Sequence, residues 1–549
     1  MKTMADVIKT TTSICPECHE LISADYVEED GQVFMVKECK DHGPFRDLIS
    51  INAKHFRWIQ QFTFNSDAKI KNPQVPNKIK GCPHDCGTCN FHKNSPAIAL
   101  VDVTYRCNLK CPICYAAALN EKGKNIEPSL EDIRKIYQHF RDLDQPPVCA
   151  MNVGGEPTVR DDLPEILEMT TEMGYIQRQV ASNGIRFAKD IDFLQTCIDA
   201  GMNAIYFQFD GVGPEVYKTM RGADIWALKQ KVIENCRELN FHNICLVPTV
   251  AKGVNDDQIP QIIDYAVQNN DVVSVISFQP MSFCGRIEQE ELLKTRMTSS
   301  HVIDAINTYT NGETGWMYPM PGLAKFAKLA SWMSGQPEIL ELTCDSNCGY
   351  GTFLFVDPKT KKMRDITKLF DVPRFIRLTN RWYDKLLKQR QNPPTKFRDL
   401  GLGFITRTLG DLIDKSADTL TKAQFVTELM TTLKDPLQDG VDNFVKRARL
   451  FLETMIHSSR DASANWLIKG NNLLLAIMHF QDGYNMDIER TSRCLVHYGY
   501  VDPKTQQVMA IPFCTMNTIH RARIENELLL ANAVTKEEKA EAPIPEMQM

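Results

Sequence analysis

Cysteine spacing constrains this chain of 549 residues more than any other feature of its sequence. There are 18 cysteines, and nine of them precede residue 115, mostly in groups whose members lie three or four positions apart. Cysteines this close rarely bridge each other well, but they converge easily on one metal ion or cluster. Because the chain also starts without an apolar signal segment, the pattern predicts metal sites in a reducing, cytoplasmic compartment.

The composition argues against several other classes of protein. Hydrophobic residues make up 43% of the chain and charged residues 24%, which is typical of a folded protein. The net charge of −6 offers no basic excess, so we expect no nucleic-acid partner. The densest apolar run, Leu473 to Met478, is far shorter than the ~18 residues of a membrane span, so we expect no integral membrane segment.

The first cysteine group predicts a mononuclear metal site. Cys15-Pro-Glu-Cys18 forms one tight knuckle, and Cys39 and His42 form a second knuckle after a β-like stretch. Two such knuckles are typical of tetrahedral zinc ribbons and of rubredoxin-like iron sites. The spacing leaves zinc and iron both open.

Two later triplets share the spacing C-x3-C-x2-C. They are Cys82, Cys86 and Cys89, followed by Cys107, Cys111 and Cys114. Three thiolates in so short a loop can each hold one iron of a [4Fe–4S] cube, which leaves the fourth iron open to a substrate or cofactor. Only the second triplet follows a strand-like apolar run, Ala97 to Thr104, so we predict that it is the reactive one.

Six alternating strand-like and helix-like segments follow between residues 95 and 290, and this alternation predicts a parallel sheet or a partial barrel. Glycine and polar residues recur just after the strands, where such folds place their binding loops. These residues are Gly154, Gly155, Glu156 and Pro157, then Ser182 and Asn183, and then Asp210. Asp210 could equally cap a helix or contact a nucleoside.

Together, the second triplet, the Gly-Gly-Glu-Pro stretch and the Ser-Asn-Gly strand end resemble the radical S-adenosylmethionine (SAM) superfamily. The resemblance implies an α/β fold with a partial (β/α)6 barrel. It also implies that Cys107, Cys111 and Cys114 hold a [4Fe–4S] cluster whose open iron is chelated by SAM. Residues 154–157 are then expected to contact the methionyl amine, and Ser182 and Asn183 the ribose or carboxylate. In this superfamily an electron from the cluster splits SAM into methionine and a 5′-deoxyadenosyl radical.

The remaining cysteines predict auxiliary sites. One auxiliary [4Fe–4S] cluster could be closed by Cys344, Cys348, Cys494 and Cys514, and the first triplet could hold another. Sites that lack a fourth cysteine would need His42, Cys284 or an exogenous ligand. We expect four further cysteines to be small core residues, namely Cys149, Cys197, Cys236 and Cys245.

The expected organisation has four parts. Residues 1–94 form an N-terminal metal-binding region, and residues 95–290 form the partial barrel. Residues 291–534 form a mostly helical region that carries the auxiliary cysteines, and the charged segment 535–549 is expected to be a disordered tail.

The arrangement of cysteines over the whole chain resembles the archaeal tetraether synthase family and its bacterial relatives. That resemblance implies C–C coupling of unactivated sp3 carbons between lipid alkyl chains. A lipid substrate, an external electron donor and peripheral docking of a cytoplasmic protein at the membrane would follow. The alternative is radical methyl transfer to a pterin-like heterocycle, an older assignment for related proteins. A simple iron–sulfur electron carrier is disfavoured, because it needs neither an open iron nor residues 154–157.

Overall fold

The computed structural model describes residues 6–64, 80–87, 89, 91–116, 127–287, 296–334, 342–391 and 472–530, together with 424–425, 427–429 and 431–432. The predicted tail 535–549 lies outside this part of the chain and stays a prediction. Within the described residues, an antiparallel N-terminal sheet packs beside a large mixed sheet.

The N-terminal sheet is a four-stranded meander with one buried face. Its strands are β1 (Asp6–Ile14), β2 (Leu21–Glu29), β3 (Gln32–Cys39) and β4 (Gly43–Ser50). Side chains alternate across β3, so Val33 and Met35 pack with Tyr26 against helix α1 (Ala53–Ile59). The turn between β1 and β2 and the turn between β3 and β4 bring the two cysteine knuckles to the same end of this sheet.

The large sheet contains eight mutually parallel strands in the order β18-β5-β7-β8-β9-β10-β12-β17. The two outer strands of this series are β18 (Val496–Val501) and β17 (Asn472–Met478). The other six match the predicted strands: β5 (Ile98–Thr104), β7 (Cys149–Gly154), β8 (Gln177–Ser182), β9 (Ala204–Gln208), β10 (Ile244–Val247) and β12 (Val273–Pro280). The short strand β11 (Thr249–Val250) adds to β12. The α/β prediction with a parallel sheet is therefore confirmed, and the described strands form an open sheet.

Helices between these strands cover the outer face of the sheet. They are α2 (Leu130–Arg141), α3 (Leu163–Glu172), α4 (Ile185–Lys189), α5 (Ile191–Asp199), α6 (Pro214–Arg221), α7 (Trp226–Glu238) and α8 (Ile259–Gln268). Alternate strand residues such as Ile205, Phe207 and Leu246 face these helices in the main core. Since successive side chains of a strand point to opposite faces, residues such as Tyr206 and Gln208 face the concave inner side.

Strands from the C-terminal region extend the sheet at both edges. The added strands are β14 (Tyr318–Pro319), β15 (Gly349–Val356), β16 (Met363–Asp365), β17 (Asn472–Met478), β18 (Val496–Val501) and β19 (Val508–Pro512). The apolar run near residue 475 forms β17, although the sequence pattern predicts a mostly helical segment there. Its partners β12 and β15 come from distant parts of the chain, so local periodicity carries little information about this strand.

The other described helices of this region are α9 (Ser299–Tyr309), α10 (Ala324–Ser334), α11 (Ile366–Leu369), α12 (Val372–Gln391), α13 (Ile488–Thr491) and α14 (Phe513–Thr515). A π-helical turn, Met516–His520, continues α14 into helical residues 521–530. Residues from this last segment, such as Met516 and Ile524, pack against the concave face of the sheet. No helix in the described part of the chain is long and apolar enough to cross a membrane.

Candidate functional site

The second cysteine triplet lies in the loop that leaves the carboxyl end of β5. All 18 cysteines are among the described residues, and none of them forms a disulfide bond. Burial is the main cause that raises the pKa of Cys107 to about 12, and the nearby Glu156, Cys111 and Cys114 contribute to this rise. A short ladder between β6 (Ile113–Cys114) and β13 (Arg286–Ile287) anchors the end of this loop. Three close, half-buried thiols fit a metal cluster, because metal coordination removes the proton that burial otherwise retains.

The Gly-Gly pair lets the next strand end approach this loop closely. The Gly155 N–H donates to the Thr104 carbonyl at 2.8 Å, and the Glu156 N–H donates to the Arg106 carbonyl at 2.9 Å. A Cβ on Gly155 would lie 2.1 Å from the Arg106 oxygen. Gly154 has φ = +130°, and a Cβ there would lie 2.2 Å from the Thr104 oxygen. Both positions therefore require glycine to hold the two loops together.

The Glu156 carboxylate fastens this stretch to the end of β8. Its Oε1 accepts from the Ser182 hydroxyl at 2.7 Å and from the Thr158 hydroxyl at 2.6 Å, while Oε2 accepts from the Asn183 N–H at 2.7 Å. Burial raises the pKa of Glu156, and these hydrogen bonds oppose that rise. Residues 154–157 and 182–183, predicted separately from sequence, are therefore parts of one hydrogen-bonded unit beside the cysteine loop.

Asp210 forms a buried ion pair with Arg221. The Arg221 Nε donates to Asp210 Oδ2 at 2.7 Å, and Nη2 donates to Oδ1 at 2.6 Å. Nη1 donates to the Ile113 carbonyl at 3.2 Å, inside the cysteine loop. Burial would lower the pKa of Arg221, but Asp210 and Cys111 outweigh it and the pKa is raised. Asp210 thus holds a cation against Cys111, and Gly213, not Asp210, is the N-cap of α6.

Lys229, which the sequence does not single out, lies buried beneath the same loops. Its Nζ donates at 2.7 Å to each of three acceptors, which are the Asn183 carbonyl, the Gln208 carbonyl and the Gln208 Oε1. Burial lowers the pKa of Lys229 to about 7. A lysine in the middle of an amphipathic helix normally faces solvent, so no local pattern could have identified this one.

The concave face of the central strands carries hydrogen-bonding side chains. By strand alternation the inward-facing residues of β8, β9 and β12 include Gln179, Tyr206, Gln208, Ser277 and Gln279. The Gln279 side-chain amide donates to the Tyr206 hydroxyl. Ser277 is buried, and the other four side chains are only half-buried. Polar groups therefore line the concave face of the sheet near the cysteine loop.

Four C-terminal cysteines converge on a second site. Burial raises the pKa of each thiol, and the charges of neighbouring members raise it further, as Cys348 and Cys494 do for Cys344, and Cys514 does for Cys494. The Arg490 Nε donates to the Cys348 Sγ at 3.2 Å, and the Gln481 N–H donates to the Cys514 Sγ at 3.3 Å. Four free thiols with a buried cation fit a [4Fe–4S] cluster with complete cysteine ligation.

The first triplet and Cys284 lie near this second site. The Cys86 Sγ is 3.5 Å from the Thr515 hydroxyl, and Cys82 and Cys89 raise its pKa in addition to the larger effect of burial. Cys284 is buried beside Cys514. The rings of Tyr115, Phe480 and Phe513 lie between these sites and the second triplet, with the centroids of Phe480 and Phe513 4.2 Å apart.

Among the predicted core cysteines, Cys149, Cys197 and Cys236 are confirmed as buried, whereas Cys245 is half-buried on the concave face.

The N-terminal knuckles form a compact Cys3His group. The ligand atoms of Cys15, Cys18, Cys39 and His42 all lie within 4.8 Å of one another. The His42 Nδ1 is 3.6 Å from the Cys15 Sγ and 3.5 Å from the Cys39 Sγ. Hydrogen bonds from His42 and the Asp41 N–H lower the pKa of Cys39 to about 6. The donor set and its closeness fit a tetrahedral metal ion such as structural zinc.

Comparisons with known proteins agree with this geometry. The family described as "Radical SAM superfamily" matches residues 101–266, and the "HMPTM N-terminal zinc ribbon domain" matches residues 7–51. The chain is 36% identical over 524 residues to the 7,8-dihydro-6-hydroxymethylpterin dimethyltransferase of Methanocaldococcus jannaschii, covering 94% of this chain and 95% of that protein. It is 30% identical over 182 residues to a probable GTP 3′,8-cyclase of Methanococcus maripaludis, covering 33% of this chain and 58% of that protein.

Among solved structures, Streptococcus suis SuiB bound to S-adenosylmethionine matches with a TM-score of 0.31 and 15% identity, over 39% of this chain and 48% of SuiB. The similarity to the Methanocaldococcus protein is much more extensive, because it runs through the N-terminal sheet, the parallel sheet and the C-terminal strands alike. The chain therefore belongs to the radical SAM superfamily and, within it, to the same family as the Methanocaldococcus jannaschii protein.

Proposed function

We propose that this radical SAM enzyme transfers methyl carbon to a pterin-like heterocycle. The observation that carries the proposal is the 36% identity, over 94% of the chain, to a protein named for dimethylation of a hydroxymethylpterin. Lipid C–C coupling, the main function expected from the cysteine layout, has less support, since the relative that matches almost the whole chain is named for a pterin and not for a lipid. Both functions are radical SAM chemistry, with a [4Fe–4S] cluster and SAM as cofactors and an external electron donor.

The proposed roles of the site residues follow from their contacts. Cys107, Cys111 and Cys114 would hold the cluster that binds SAM. When bound there, this cluster would supply the electron that cleaves SAM. The strand ends at 154–157 and 182–183 would seat SAM beside it, since Glu156 ties the two strand ends together through Ser182 and Asn183. The Asp210–Arg221 pair would fix the cysteine loop from below.

The polar side chains on the concave face of the sheet favour a heterocyclic substrate over an alkyl chain. A pterin presents several hydrogen-bond donors and acceptors around a flat ring, and recognising it requires complementary polar groups and aromatic or apolar surface. Polar groups are available on Gln179, Tyr206 and Gln279, and Tyr206 packs against the same inner cluster as the ring of Phe513. A site for alkyl chains would have no use for such a row of amides and hydroxyls.

The test uses the full-length protein with its clusters reconstituted anaerobically. It is incubated with SAM, a low-potential reductant and either a 7,8-dihydro-6-hydroxymethylpterin or a lipid with two alkyl chains. We expect 5′-deoxyadenosine, and a pterin product heavier by one or two methyl groups on mass spectrometry. The SAM that yields 5′-deoxyadenosine keeps its methyl group in methionine, so a methyl group from SAM must come from a second molecule, which leaves as S-adenosylhomocysteine. SAM labelled at the S-methyl group tests this source, because the label then enters the pterin. A lipid product that lacks two hydrogens, with no change in the pterin, would instead establish C–C coupling and refute the proposal.

A further inference from the structure

Arg490 places a buried positive charge against the four-cysteine site. Only 7% of the residue is exposed, and its Nε donates to the Cys348 Sγ at 3.2 Å. Its Nη2 donates to the His479 carbonyl, so the planar guanidinium is held at two of its edges. The thiol of Cys514 also lies within range of its charge. The charge of the nearby Asp345 also acts on Cys344, Cys348 and Arg490, so it opposes part of the effect of Arg490. Its Oδ1 accepts from the N–H and the Nδ2 of Asn347 at 2.9 Å each.

The N-terminal sheet holds Arg490 in this position through Asp487. Asp487 is the N-cap of α13, where its Oδ1 accepts from the Glu489 N–H at 2.9 Å and from the Arg490 N–H at 3.4 Å. The same buried carboxylate accepts from three side chains of β1 and β2. These donors are the Lys9 Nζ at 3.0 Å, the Thr11 hydroxyl at 2.8 Å and the Tyr26 hydroxyl at 2.9 Å.

A second contact joins the metal-binding knuckle of that sheet to the same segment. The Lys37 Nζ donates to the Gly483 carbonyl at 2.8 Å. A Cβ on Gly483 would lie 3.2 Å from the Cα of Pro16, which directly follows Cys15, so the knuckle packs directly on this segment. The N-terminal sheet therefore braces the segment 479–491, and that segment carries the cation that touches Cys348.

We propose that Arg490 raises the reduction potential of an auxiliary [4Fe–4S] cluster held by Cys344, Cys348, Cys494 and Cys514, and that the N-terminal sheet positions Arg490 through Asp487. The inference rests on the proposed auxiliary cluster. Reduction adds one electron to a cluster whose thiolate ligands already make it negative. A buried cation and a hydrogen bond to a ligand sulfur both stabilise that added charge, so they favour the reduced form.

The experiment is a redox titration of the reconstituted full-length protein, followed by electron paramagnetic resonance. The auxiliary signal is first identified as the component that disappears, with about four irons, in the Cys494→Ala, Cys514→Ala double variant. We expect Arg490→Gln to shift the midpoint of this component to lower potential. Arg490→Lys should shift it less, because lysine keeps the charge but not the rigid planar donors. Tyr26→Phe should shift it in the same direction by loosening Asp487. Arg523→Met removes an equal charge at a half-exposed position and should change nothing.

The outcomes test the assignment of the auxiliary cluster separately from the effect of Arg490 on its reduction potential. If the Cys494→Ala, Cys514→Ala double variant retains its iron and every spectral component, the auxiliary cluster assignment fails. If that assignment holds and the midpoint is the same in Arg490→Gln as in the wild type, tuning by Arg490 is refuted. Should the glutamine variant lose its cluster, an unchanged midpoint in Arg490→Lys refutes the tuning instead. An unchanged midpoint in Tyr26→Phe refutes positioning by the N-terminal sheet.

Discussion

Replacing Glu156 with glutamine tests whether the hydrogen-bonded unit beside the cysteine loop seats SAM. Glutamine has almost the same shape, but it offers one oxygen and one NH2 group where glutamate offers two oxygens. Oε1 accepts from Ser182 and Thr158, so the glutamine oxygen is best placed there. The NH2 group then faces the Asn183 N–H, which loses its acceptor.

The size of the effect follows from that one lost bond. A hydrogen bond to a charged group is worth about 1.5–3 kcal/mol, and a tenfold change in affinity corresponds to about 1.4 kcal/mol. If SAM binds only when Asn183 is in its native position, binding must restore the displaced loop. We therefore expect the Kd for SAM to rise about 10- to 100-fold in Glu156→Gln.

The assay is anaerobic titration of SAM into the cluster-loaded protein, with the change in the cluster's electron paramagnetic resonance signal as a second readout. Glu168→Gln on the exposed side of α3 makes the same chemical change and should leave the Kd unaltered. A Glu156→Gln protein with full iron content and a Kd within twofold of the wild type would refute the reasoning.

Four further predictions concern separate parts of the site. Cys111→Ala should abolish SAM cleavage, measured as 5′-deoxyadenosine, and retained cleavage would contradict its assignment as a cluster ligand. Gly155→Ala should cost at least tenfold in cleavage rate, because the new Cβ would collide with the Arg106 oxygen 2.1 Å away; an unchanged rate would refute the close packing. Cys39→Ala should lower the zinc or iron at the N-terminal site from about one ion per chain to near zero, while the iron–sulfur clusters remain. Elemental analysis measures this metal content, and an unchanged content would refute metal binding at the N-terminal site. Because the pKa of Lys229 is lowered to about 7, this side chain binds fewer protons in the folded than in the unfolded protein between pH 7 and 10, so its contribution to stability rises with pH. In urea unfolding, the free energy of unfolding of the wild type should increase by about 2 kcal/mol relative to Lys229→Met from pH 7 to pH 9. A difference between the two proteins that does not change with pH would refute the lowered pKa of Lys229.

Much of the fold could be predicted from the sequence because its signals are local. The six central strands and most of their helices, such as α8, follow from alternating apolar segments. The hairpin of β15 and β16 follows a turn sequence at Asp357. The strand β17 could not be assigned in this way, since its place depends on pairing with β12 and β15 and not on its own residues.

The sequence by itself determined which chemistry this protein carries, because the ligand-bearing knuckles and triplets are short and their spacing alone suits metal ions and clusters. Only the tertiary structure decided which groups surround that chemistry. Arg490 reaches Cys348 across 142 residues of chain, and Asp487 reaches Thr11 across 476. Lys229 is buried under Asn183 in the same way, 46 residues from it. Such pairs leave no spacing pattern, since they meet only when distant strands and helices pack together.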